Sequence, residues 1–117
     1  MLQVTPMSKI FIATKNIDGR KGINGLVATC RQKLNSEPLH GAMFVFRIKA
    51  STTIKILCYD GQGFLLCIKR LSQGKFKWWP TSQDEASTLS YRELQILFNN
   101  GNPTRANFAE DWRPLPD

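Results

Sequence analysis

The sequence predicts a single α+β domain, an antiparallel β-meander of four or five strands with two helices. Three observations carry that expectation. From Met43 to Trp79 the apolar residues follow strand-like runs of five to seven residues broken by turn residues. Ile23, Leu26, Val27, Cys30 and Leu34 recur at helical spacing. Ser90-Tyr91-Arg92-Glu93 has the form of a capping box before an apolar run. The length of 117 residues, 42% hydrophobic and 21% charged, suits one compact domain with a core of its own.

In chain order, residues 1–8 are a polar lead-in, 9–101 the folded domain and 102–117 an extended Pro-containing tail. Lys9–Thr14 is β-rich and ends at Lys15-Asn16, which marks a first strand. Asp18-Gly19-Arg20-Lys21-Gly22 is a turn in which Asp18 or Gly19 opens the Ile23–Leu34 helix. Gly25 weakens that helix by about 1 kcal/mol relative to Ala unless a neighbouring backbone comes close. Asn35–Gly41 reads as a loop. Met43–Ile48, Thr53–Tyr59, Phe64–Arg70 and Lys75–Trp79 form the meander. Asp60-Gly61-Gln62-Gly63 is a hairpin turn, and Ser72-Gln73-Gly74 suits a three-residue loop with Gly74 left-handed. Residues 80–87 read as polar connector. The second helix starts at Ser90, with Leu89 stapling onto Leu94, and stops at Asn99-Asn100-Gly101, where Gly101 fits the left-handed position. The first helix is expected to cover one face of the sheet and the second to lie against an edge or end.

Composition excludes several classes. The apolar fraction is too high for disorder throughout, and the longest apolar runs fall far short of the ~20 residues a membrane span needs. No secretory leader is visible at the start, so a cytoplasmic protein with reduced thiols at Cys30, Cys58 and Cys67 is expected. The charge is more informative. Net charge is +7, yet residues 1–79 hold 13 basic and 3 acidic side chains, while residues 80–117 hold 3 and 6. A basic field concentrated in this way attracts polyanions.

Catalytic readings fail for lack of parts. His40 is the single histidine, in a loop, with no cluster of ligands around it. No patterned Ser or Cys marks a triad, and Gly61 and Gly63 are not followed by a phosphate-binding lysine motif. Metal-dependent strand transfer would need clustered carboxylates, whereas the basic region offers only Asp18, Glu37 and Asp60. A non-enzyme with no cofactor, no metal and no small-molecule substrate is expected.

Basic residues interleaved with aromatics point instead to nucleic acid. The candidate contacts are Arg20, Lys21, Arg47, Lys49, Lys55, Lys69, Arg70, Lys75 and Lys77. In the expected last hairpin Leu71 pairs with Lys75 and Lys69 faces Lys77, so an anion between them would relieve like-charge repulsion. Arg70, Phe76 and Trp78 then share the other face, and Phe76, Trp78 and Trp79 either stack on bases or serve as core. Arg20 either meets phosphate at the start of the first helix or closes the turn onto Asp18.

Asp18–Leu26, Gly41–Arg47, Ile54–Phe64, Lys69-Arg70-Leu71 and Gly74-Lys75-Phe76 together closely resemble one family over roughly residues 9–101. It is the TnpB-type accessory protein encoded by the second open reading frame of bacterial insertion-sequence-66 elements. The resemblance implies a non-catalytic role in DNA transposition beside a separate transposase that holds the catalytic carboxylates. Its expected partners are DNA and the transposase or another element-encoded protein. The alternative is a protein–protein adaptor docking on the transposase or a sister accessory protein, through the acidic tail and exposed aromatics.

Overall fold

The computed structural model describes residues 9–104, so the lead-in and most of the expected tail lie outside the described residues. Strands β1 (Ile10–Ala13), β2 (Met43–Arg47), β3 (Thr53–Tyr59), β4 (Phe64–Arg70) and β5 (Ala86–Leu89) form one sheet in the order β4-β3-β2-β1-β5. Helix α1 (Ile23–Gln32) joins β1 to β2, and helix α2 (Tyr91–Phe98) follows β5. The α+β class holds, and β2-β3-β4 is the expected meander. The sheet is mixed, however, because β1 pairs parallel with β2 (Ile10 with Met43, Ile12 with Val45). Parallel neighbours require a crossover, and α1 supplies it.

Alternation along the strands sorts the core into two clusters, one on each face of the sheet. Phe44, Phe46 and Leu57 meet Leu26, Val27 and Cys30 of α1 on the first face. Ile10, Ile12, Met43, Val45, Ile54 and Ile56 meet Phe76, Trp79, Leu94 and Leu97 on the second. Helix α2 therefore covers the face opposite α1, not an edge or end. With only eight residues, α2 leaves part of that face open.

The remainder is covered by the segment expected to be the last meander strand. Lys75–Trp79 is irregular and pairs with no strand, so the expected facing of Lys69 with Lys77 and of Leu71 with Lys75 does not occur. Instead the chain leaves β4 at one edge and crosses the second face to reach β5 at the other. Phe76 and Trp79 are both buried, three residues apart, a spacing that a strand of period two cannot place on one face. Phe76 N–H donates to the Ser51 carbonyl (2.7 Å), and Trp79 Nε1–H donates to the Ala13 carbonyl (2.8 Å). Arg47 Nη1 donates to the Phe76 carbonyl (2.9 Å), and its guanidinium lies 5.0 Å from the centre of the Trp79 ring. The residues expected as connector supply β5, an edge strand antiparallel to β1.

Local signals in the sequence set the ends of the elements. Asp60 Oδ1 accepts the N–H groups of Gln62 and Gly63, which holds its carboxyl below the usual range, and Gly61 takes φ +98°. Ser90 and Glu93 make both bonds of the capping box. At the far end of α2 the left-handed residue is Asn100 (φ +62°), not Gly101. Asn100 N–H donates to the Leu97 carbonyl and Gly101 N–H to that of Ile96, a Schellman motif. Gly101 is required for space, since a Cβ there would lie 2.7 Å from Ile96 Cγ2. Helix α1 starts at Ile23 as expected, but Gly22 is its N-cap in place of Asp18 or Gly19, and it ends at Gln32, short of Leu34. Gly25 accommodates the Lys21 side chain, which would sit 3.3 Å from an added Cβ, and not a neighbouring backbone.

Cys30, Cys58 and Cys67 are free thiols. Burial is the main cause that pushes the Cys30 thiol up to about 12. A raised thiol pKa withholds the thiolate until the pH approaches that value, so Cys30 should stay unalkylated by iodoacetamide at about pH 8 while the fold holds, and react on denaturation. Mass spectrometry of the Cys30 peptide checks this. Trp79→Ala should cost about 3–5 kcal/mol in urea unfolding, by emptying the site under the crossing segment.

Candidate nucleic-acid interface

Strand directions decide where the charge collects. The chain leaves β1 and β2 at one end of the sheet, enters β3 there, leaves β4 there and enters β5 there. Helix α1 also begins at that end, and α2 finishes there, where Asn100 meets the backbone of Lys75 and Lys77. Arg20, Lys21, Arg47, Lys49, Arg70, Lys75 and Lys77 accordingly gather at one end. Lys15 joins them, although the sequence marked it only as the end of the first strand. Its amine reaches the Ser82 carbonyl at 3.3 Å.

Four of the nine expected contacts are committed to the fold. Lys55 is 7% exposed, and its amine donates to the carbonyls of Gly19 (2.8 Å) and Lys21 (2.7 Å). It lies on an inner strand, so the alternation that would expose a lysine on an open sheet here buries it under the start of α1. It pins the turn that carries Arg20. Lys69 turns its amine onto the Phe98 carbonyl (2.6 Å) and the Phe98 ring, compensating the negative end of α2. Arg47 holds the crossing segment and also donates to Asn16 Oδ1, and burial lowers its pKa. Lys21 lies along α1 with its amine on Thr29 Oγ1 (3.1 Å).

Arg20 is exposed but paired. Its Nε and Nη2 grip both carboxylate oxygens of Asp18, and its own N–H donates to Asp18 Oδ1. The Arg20 side chain is the main reason the Asp18 carboxyl sits far below the usual range, with the Arg20 N–H next. This geometry closes the turn. Lys49, Arg70, Lys75 and Lys77 are exposed and, among the described residues, give their side-chain donors to no protein group. Lys75 and Lys77 flank the inward Phe76 and project outward from it, while the Asn100 side chain accepts from Lys77 N–H and donates to the Lys75 carbonyl. Asn100 is the positioning residue that sequence reasoning missed. Its only signal was that Asn, beside Gly101, also tolerates positive φ.

The aromatics are largely spent on packing. Phe76 and Trp79 are buried and Trp78 is half-buried, so of the two readings of these aromatics the structure supports the core one. Arg70 lies on the α1 face, away from Phe76, because it pairs with Thr53 at the end of β4. At the opposite end of the sheet an open groove of about 630 Å³ is lined by Lys9, Phe11, Glu37, His40 and Phe44. Glu37 there is already engaged by Arg31 and the Leu39 N–H, which lower its pKa. Among the described residues no group of His, Cys, Asp or Glu could hold a metal ion, and no helix is long and apolar enough to cross a membrane.

Comparison with known proteins places this arrangement in a family context. A family model described as IS66 Orf2 like protein matches residues 8–107. Two uncharacterized proteins of Sinorhizobium fredii (strain NBRC 101917 / NGR234), y4jC and y4hO, are 36% and 34% identical over 106 residues. Each alignment covers 91% of this chain and 90% of the relative. No solved structure matches the chain.

The two kinds of lysine should respond differently to substitution. Lys55→Met keeps the stem but strips the Gly19 and Lys21 carbonyls of their donor, and should cost about 2–4 kcal/mol. Lys75→Ala and Lys77→Ala should stay within about 0.5 kcal/mol of wild type. Urea denaturation followed by Trp fluorescence measures both.

Proposed function

The chain belongs to the IS66 Orf2-like family, and from that premise we propose that it contacts DNA through the basic end of its sheet. Members of this family are accessory proteins associated with transposition, and the family is not one of known enzymes. The observation that carries the proposal is the convergence of Lys49, Arg70, Lys75 and Lys77. They are exposed cations from three separate stretches of chain, and their side chains make no hydrogen bond to a protein group among the described residues. Among the described residues, acidic ones at the same end are few. Asp18 is neutralised by Arg20, and Asp84 and Glu85 lie toward the β5 edge, beside Thr14. Cations without aromatic platforms read phosphate and not base, so the contact is electrostatic and tolerant of sequence. In this role the protein is non-catalytic and works beside the transposase.

Titration of a labelled duplex of element-end sequence, and of an unrelated duplex, at several salt concentrations tests the proposal. Log affinity should fall with log salt at a slope between about −3 and −4, with little difference between the two duplexes. Changing Lys75 and Lys77 together to Ala should flatten the slope by about two without altering the unfolding transition. Absence of binding to either duplex at low salt would overturn the DNA reading. A transposase-docking adaptor would instead bind DNA weakly at any salt and retain the transposase in the double variant.

A further inference from the structure

We propose that the outer edge of β4 is a self-association surface, on which β4 of a second copy of this chain pairs antiparallel to extend the sheet. The sheet order leaves two edges, β4 and β5. The β5 edge is four residues long with Ser87 and Thr88 at its centre, whereas β4 runs seven residues through Phe64-Leu65-Leu66-Cys67-Ile68. Its register with β3 is unbroken over all seven pairs, so no bulge twists it away. A long, flat, apolar edge is a template for another strand.

The ladder itself identifies which groups are unpaired. Asp60 N–H donates to the Gly63 carbonyl at one end of the hairpin, and Leu71 N–H donates to the Thr52 carbonyl at the other. Antiparallel pairs alternate between bonded and non-bonded. Both ends therefore agree that Leu65, Cys67 and Lys69 bond to β3, while Phe64, Leu66, Ile68 and Arg70 turn their N–H and C=O outward. Among the described residues no backbone bond from elsewhere reaches them. Ile68 is also 54% exposed, the more open of the two large apolar side chains exposed among the described residues. The cations do not shield this edge, because Lys69 is drawn onto Phe98 and Arg70 stands at the last position.

A second copy fits because the strand complements itself. One antiparallel register places all four outward residues opposite outward residues, with the two-fold axis at Cys67. Leu66 then faces Ile68 of the second copy, and Phe64 faces Arg70 of the second copy, which suits a cation over an aromatic ring. The two Arg70 residues end about 20 Å apart along the strands, beyond screening distance. Cys67 faces its own copy in a non-bonded pair, with Cα atoms about 4.5 Å apart, within reach of a disulfide.

Light scattering on the full chain over two decades of concentration should show twice the 13.3 kDa mass. Each copy carries +7, so association should tighten with salt, the reverse of DNA binding. Ile68→Lys should raise the dimer dissociation constant by at least about tenfold while leaving the melting temperature of the monomer unchanged. Copper-phenanthroline oxidation should give a linked dimer that Cys67→Ser abolishes, since Cys30 and Cys58 are buried. A wild type that stays monomeric at every concentration and salt would overturn the proposal. So would a dimer that tolerates Ile68→Lys, or one that does not link through Cys67.

Discussion

Both faces of the sheet are apolar, and the second is too large for the eight-residue α2 to cover. That constraint shapes the rest of the molecule. The chain between β4 and β5 has to cross the whole sheet as a covering layer, and it does so without regular structure. A segment of that kind has no ladder to satisfy its backbone, so its polar groups are matched one by one. Ser51 takes the Phe76 N–H, Arg47 reaches the Phe76 carbonyl, and Asn100 bonds to both Lys75 and Lys77. Trp79 anchors the far side through the Ala13 carbonyl.

Packing on both faces of the sheet decides the fate of the positive charge. A lysine on a covered strand has to find oxygen atoms inside the protein, since leaving a buried ammonium unmatched is costly. Lys55 finds two carbonyls and Lys69 one, and both become parts of the scaffold. Lys75 and Lys77 escape this fate because Phe76 between them takes the inward position. The basic end of the sheet is thus a residue of the folding problem: it consists of the cations that packing did not consume, held in place by those that it did.

Crossing to the far edge also leaves β4 bare. Had the chain turned back after Gly74 to pair with β4, a fourth meander strand would have covered that edge and Lys69 would have faced Lys77. The sheet instead gains β5 beside β1, a short polar strand suited to an edge. The long apolar edge and the exposed basic end are two results of one routing choice.

Local chemistry was legible in the residues alone. The α1 stripe, the Asp60–Gly63 hairpin, the capping box at Ser90 and the three strands β2-β3-β4 each follow from patterns that are local in the sequence, and each stands in the structure. Family membership was legible as well, from motifs spread over most of the chain. What only the tertiary structure decided was the path from Leu71 to Ala86, the parallel pairing of β1 with β2, and hence which cations face water. Lys55 and Lys75 look alike in sequence, each one residue from an apolar neighbour. They differ because one lies on an inner strand beneath a helix and the other on the outer side of a covering loop. Burial depends on what packs above a residue, and that is set by segments distant along the chain.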